Sequence, residues 1–185
     1  MGVKITIRGR RRCRRLIIIV MGVTGSGKTT LGQALAERLG LPFYDADDFH
    51  PESNRTKLRS NIPLNDEDRY PWLQLLASQM TDWEAKGGAV LACSALKQHY
   101  RQHLSSSGSE TVFVYLKGSK QDIAERLAQR ANSGHTLIDH FDKVLDGQFR
   151  DLEEPLPALI IPIELELPDA VSLALQLLAQ NREMT

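Results

Sequence analysis

Apolar positions along the chain follow two rhythms that alternate from the first apolar run to the last. "LIIIVMG" (16–22) is a continuous, mostly β-branched run, as expected of a strand buried on both faces. A glycine-rich stretch follows, then "KTTLGQALAERLG", where Leu31, Leu35 and Leu39 recur at helical spacing and Gly40 ends the helix. "PFYDAD" (42–47) predicts a second strand. "YPWLQLLASQMTDWEAKGG" (70–88) predicts a helix with Trp72, Leu75, Leu76, Gln79, Met80 and Trp83 on one stripe, so its tryptophans read as core. "AVLACSAL" (89–96) and "TVFVYLKG" (111–118) predict two more buried strands, separated by a short helix in "KQHYRQHL" and a surface loop in "SSSGSE". "SKQDIAERLAQR" predicts a helix capped by Ser119, with Ile123 and Leu127 facing inward. "ALIIPIELEL" predicts a last strand, which Pro162 assigns to an edge or a bulge, and "PDAVSLALQLLAQ" a closing helix.

Five strands alternating with helices predict a three-layer α/β fold, a five-stranded parallel sheet flanked by helices. The 185 residues, 42% of them hydrophobic, suit one such domain over 16–183. The formal charge of zero hides an asymmetry. Residues 1–15 carry Lys4, Arg8, Arg10, Arg11, Arg12, Arg14 and Arg15 and no acid, so the rest of the chain is net acidic. This basic leader is expected to be a solvated, disordered extension. A signal peptide is disfavoured because the apolar run after it is short and is needed as a strand. An N-myristoylation match at "MGVKIT" and a nucleic-acid arm are the less favoured readings. Cys13 and Cys93 lack metal-ligand spacing and read as free thiols of a reducing, cytoplasmic compartment, and no apolar run is long enough to span a membrane.

The chemistry enters with "GVTGSGKT", Gly22 to Thr29, which fits G-x-x-x-x-G-K-[ST] between a buried strand and a helix start. Glycines there let successive N–H groups converge on phosphate oxygens, and the helix N-terminus adds partial positive charge. Lys28 is expected to reach the β- and γ-phosphates of ATP, and Thr29 to place its hydroxyl on Mg²⁺. An acid at the end of a neighbouring strand usually completes the metal site, but "AVLACSAL" offers none. Asp45 and Asp47 are the candidates. Strand alternation would point both at the phosphate loop, with Asp48 turned outward. Asp45 is placed towards the metal and Asp47 towards a substrate hydroxyl, a division that alternation alone leaves open.

Beyond this loop the chain resembles the gluconate kinases, small P-loop kinases that phosphorylate D-gluconate at its 6-hydroxyl. The likeness rests on "DADDFHPESNRTKL" (45–58), "PLNDEDRYPWL" (63–73), "CSALKQHYRQHL" (93–104), "YLKG" (115–118) and "QFRDLEEP" (148–155). It implies a P-loop kinase fold, a homodimer, a lid around 126–148, and ATP and gluconate as substrates. Nucleotide contacts are then expected from Gly22, Gly25, Ser26, Gly27, Lys28, Thr29, Thr30 and Arg126, and catalysis from Lys28, Asp47 and Arg130.

The sugar acid is expected to meet Asp47, His50, Lys57, Arg69, Lys97 and Arg101, with Arg69 first because a guanidinium matches a carboxylate bidentately. A structural alternative pairs Arg69 with Asp66 or Asp68. Arg55 and Arg59 read as surface charge. The chain departs from the family's "R-x-GHFM" turn and "SQF" helix: it has "RLAQRANSGHTLIDHFDKVLDGQF", with Gly147 in place of the serine. A second departure is Asn61, where the family has glycine. The altered lid keeps open a kinase with a shifted acceptor, shikimate-like or another sugar acid. A non-catalytic nucleotide-binding regulator is the other alternative.

Overall fold

The structure, a computed structural model, describes residues 16–60, 62–106, 108–132 and 141–183. Strands β1 (Leu16–Met21), β2 (Phe43–Asp45), β3 (Gly88–Ala92), β4 (Glu110–Lys117) and β5 (Leu159–Pro162) form one parallel sheet in the order β2-β3-β1-β4-β5. The helices are α1 (Lys28–Leu39), α2 (Glu52–Arg59), α3 (Asp66–Ala85), α4 (Gln98–Ser105), α5 (Lys120–Asn132), α6 (Phe141–Asp151) and α7 (Leu167–Glu183). The predicted three-layer α/β architecture and its strand count are what the structure shows.

β1 is central and buried at every position, which explains its unbroken apolar run. Leu16, Ile18 and Val20 enter the core shared with α1, α5, α6 and α7. Ile17, Ile19 and Met21 enter the core beneath α3 and α4. Each fully buried side chain of this size contributes about 1.5–3 kcal/mol relative to exposure.

Five elements differ from the pattern-based reading. The helix expected from residue 70 begins at Asp66, because Asn65 caps it. Asn65 Oδ1 accepts from Asp68 N–H at 2.8 Å while Asp68 Oδ2 accepts from Asn65 N–H at 3.1 Å. Its buried face holds Trp72, Leu73, Leu76, Met80 and Trp83, and Leu75 is 44% exposed. The strand expected over 42–47 ends at Asp45, and Ala46–Phe49 turns into a short 3₁₀ segment. The last strand stops at Pro162, on the sheet edge where that residue's missing N–H costs nothing. The helices α2 and α6 were not expected from the pattern; α6 begins within the stretch read as a lid.

Because β1 lies between β3 and β4, the loop after it opens into the crevice at the carboxyl ends of the strands, where ligands bind in open α/β sheets.

Candidate active site

The loop from β1 to α1 turns through positive φ at Gly22 (145°), Gly25 (82°) and Gly27 (100°). At Gly25 a Cβ would also lie 2.7 Å from Leu127 Cδ2 of α5, so both backbone and packing require glycine. Lys28 opens α1 and folds its ammonium back to donate to the Val23 carbonyl at 3.0 Å. Burial pushes its pKa down, while Asp47, Cys93 and Asp45 oppose that shift. The Cys93 thiol at the end of β3 is itself pushed up to about 12 by burial, so it remains protonated near the loop.

Thr29 Oγ1 donates to Asp45 Oδ2 at 3.0 Å, and Asp45 Oδ1 accepts from Asp47 N–H at 3.1 Å. The two residues expected at a metal are therefore adjacent, with the Asp45 carboxylate fixed from both sides. A hydroxyl beside a carboxylate, in reach of a phosphate-binding loop, is the donor set that hard Mg²⁺ takes, with waters and phosphate oxygens filling its remaining positions.

Asp47 arrives near Lys28 by a different route from the one expected. It sits on the 3₁₀ turn that Asp45 caps, so strand alternation is not what brings the pair together. Its side chain is 87% exposed. Desolvation by the surrounding protein comes first among the causes raising its pKa. Asp45 and Asp48 add to the shift, while Lys28 and Arg69 oppose it. Asp48 is exposed, as expected.

His50 stacks on Trp72 with ring centroids 4.4 Å apart and planes 18° apart. Burial first, then Arg69 and Arg55, lower its pKa to about 4, so the ring is neutral. Its Nδ1 lies 3.4 Å from Asn54 Nδ2, and its Nε2 lies 3.8 Å from Asp47 Oδ1. An amide donor at Nδ1 leaves the ring proton on Nε2, on the Asp47 side. Arg55 is exposed, as expected of surface charge, and it also donates to the carbonyls of His50 (2.9 Å) and Asp48 (2.6 Å), which fixes the turn. Arg59 pairs with Glu52 at the surface, as expected.

The remaining cations divide sharply. Lys57 Nζ donates to Asp68 Oδ1 at 2.6 Å and Lys97 Nζ to Asp66 Oδ1 at 2.8 Å; Tyr100 O–H also donates to that Asp66 oxygen. These bonds hold both carboxyls below their usual range and raise Lys97. The Arg69 side chain has no hydrogen bond or ion pair among the described residues, and its buried Nε lacks a partner. Its guanidinium lies 5.6 Å from the Tyr100 ring centroid and near enough to Asp47 and His50 to shift both. Pairing of Arg69 with Asp66 or Asp68 is thus not what the structure shows, since Lys97 and Lys57 occupy those acids.

Arg101 also departs from expectation. It is only 7% exposed and donates from Nη1 to the carbonyls of Ala95 (2.9 Å) and Leu96 (2.7 Å), which braces the loop carrying Lys97. Ala95 holds φ 42° in that loop, a left-handed conformation that a non-glycine residue keeps only under such constraint. Arg126 donates from Nη2 to the Ile163 carbonyl. With Gly27, Thr30, Pro162, Ile163 and Leu165 it lines a cavity of about 140 Å³ beside the start of α1. The side chain of Arg130, most of the expected lid turn (133–140), Asn61 and the basic leader lie outside the described residues.

Sequence reasoning missed several partners. Asn54 Nδ2 donates to the Asp68 carbonyl at 2.8 Å and ties α2 to α3. The N-x-x-D spacing of Asn65 and Asp68 was readable as a cap. No local pattern announced Gln148, whose side chain bonds Thr24 from 124 positions away.

A glycine loop at positive φ leading into Lys28 and Thr29, at the carboxyl ends of a parallel sheet flanked by helices, defines a P-loop kinase. A family model described as Shikimate kinase matches residues 24–156. A probable gluconokinase of Dictyostelium discoideum is 44% identical over 77% of this chain and 72% of its own length. The thermoresistant gluconokinase of Escherichia coli (strain K12) is 35% identical over 90% of this chain and 95% of its own. The crystal structure of a gluconokinase from Sinorhizobium meliloti 1021 superposes with a TM-score of 0.81 at 36% identity, over 92% of this chain and 95% of that one. The chain belongs to the gluconokinase family.

Proposed function

We propose that this enzyme transfers the γ-phosphoryl group of ATP to the 6-hydroxyl of D-gluconate, giving 6-phospho-D-gluconate and ADP. The observation that carries the acceptor assignment is the unclaimed Arg69 guanidinium beside Asp47 and His50. A buried donor without a partner is costly, and a sugar-acid carboxylate would satisfy it with charge and geometry together. Relatives bearing the gluconokinase name at 35–44% identity favour gluconate over a shikimate-like acceptor.

In this reading the backbone N–H groups of Gly25 to Thr29 and the Lys28 ammonium receive the phosphates, Lys28 leaving the Val23 carbonyl as they arrive. The partly apolar cavity beside Thr30 and Arg126 takes the adenine ring. Thr29 and Asp45 would hold Mg²⁺, which neutralises phosphate charge when bound. Asp47, its carboxyl raised above its ordinary value by its surroundings, accepts the hydrogen bond of the attacking hydroxyl and then its proton. Neutral His50 donates from Nε2 to a substrate oxygen. Lys57 and Lys97 line the acceptor side already paired, so they orient Asp68 and Asp66 and contribute field rather than a free ligand. The buried, unpaired Cys93 is in keeping with a reducing compartment such as the cytoplasm.

Arg69→Ala tests the acceptor side. It should raise KM for gluconate by about 100-fold, the scale of a lost charge-assisted pair, with KM for ATP within about twofold. An unchanged gluconate KM accompanied by a lower melting temperature would make Arg69 structural and refute the assignment.

A further inference from the structure

Both polar handles of Thr24, the third residue of the phosphate loop, are taken by one side chain from α6. Gln148 Oε1 accepts from Thr24 N–H at 2.6 Å, and Gln148 Nε2 donates to Thr24 Oγ1 at 3.0 Å. A carboxamide with one acceptor and one donor suits this pair of groups, and the two bonds fix position and orientation together.

The place of the clamp matters. Thr24 lies between Gly22 and Gly25, two residues at positive φ, in a stretch with wide backbone freedom. Such a segment loses much conformational entropy on settling into one shape. The structure opposes that freedom from two helices. Leu127 of α5 presses on Gly25, and Gln148 of α6 grips Thr24. α6 is itself anchored: Leu145 is buried in the core with β1 and α1, and just past its end Glu153 N–H donates to the Leu96 carbonyl. Glu153 Oε2 accepts from Gln98 N–H at 2.5 Å, so the same helix and its tail brace the loops on both sides of the cleft.

We propose that Gln148 is a positioning residue for the nucleotide. Its carboxamide holds the first arm of the phosphate loop in the phosphate-receiving shape, so that a triphosphate meets an N–H array that is already formed. Gln148 touches Thr24, not the nucleotide, and its effect travels through the loop. The inference rests on ATP being the donor.

The test is titration calorimetry with AMP-PNP and Mg²⁺ on the full chain, alongside steady-state kinetics. Gln148→Leu, of similar size, removes both bonds and should weaken AMP-PNP binding about 5- to 30-fold. KM for ATP should rise by a similar factor while KM for gluconate stays within about twofold. Thr24→Val removes only the hydroxyl partner and should cost less. Added to Gln148→Leu it should cost almost nothing further, because the bond is already gone. If Gln148→Leu does not fold, Thr24→Val carries the test, with about threefold weaker AMP-PNP binding expected. Wild-type binding that Gln148→Leu, or Thr24→Val in its stead, leaves unchanged overturns the clamp alone, as do losses that add independently in the double variant. Failure of the wild type to bind AMP-PNP overturns the clamp and the donor assignment together.

Discussion

At the scale of single residues, the site separates groups kept free for substrates from groups already spent on the protein. Among the described residues the Lys28 ammonium donates only to the Val23 carbonyl, and burial favours its giving up that bond for phosphate oxygens. Lys28→Ala should therefore cut kcat by several orders of magnitude with the fold intact, seen as an unchanged melting temperature or a raised one. His50 supplies a pH dependence. Its folded pKa of about 4 lies below the ordinary 6.5, so between those values the unfolded chain binds the extra proton. Its stability contribution is complete above pH 6.5 and is lost as pH falls through 4, about 3 kcal/mol in all. Thermal unfolding at several pH values should show this slope, and His50→Phe, which keeps a ring on Trp72, should flatten it. An identical slope in the variant would refute the assignment. The phosphate loop, Thr29 and Asp45 were legible because their motif states its own geometry. The inward turn of Arg101 was not, because it depends on the strained Ala95 loop, which no local pattern encodes.

Elements show why some boundaries resisted sequence reading. The buried strands and most amphipathic helices carry their period in their own residues and were placed to within a few positions, whereas α6 was read as part of the lid. α2 was missed because its eight residues bury only Asn54 and offer no apolar stripe. β2 was read too long because an aspartate can end a strand by capping the next turn, and Asp45 does so while also holding Thr29. α3 was started too late because its first turn is entirely polar. Asp66, Glu67 and Asp68 nevertheless favour a helix N-terminus through the macrodipole. Asn65→Ala should cost about 1 kcal/mol in chemical denaturation by removing that cap. It should also loosen Lys57 through Asp68, so a modest rise in gluconate KM is expected as well.

For the molecule as a whole, strand order places the phosphate loop at the crevice between β3 and β4. The fold class was legible from alternation alone. What alternation cannot supply is which distant elements meet, and the two contacts that complete the site are of that kind: Trp72 against His50, and Gln148 on Thr24. The acceptor is likewise a property of the assembled cleft. It is tested most directly by a coupled assay of ADP release from Mg·ATP over D-gluconate, shikimate and a panel of other sugar acids. The account predicts that D-gluconate has the highest kcat/KM of the panel and yields 6-phospho-D-gluconate. No turnover with D-gluconate, alongside ATP-dependent turnover of another acid, would contradict it.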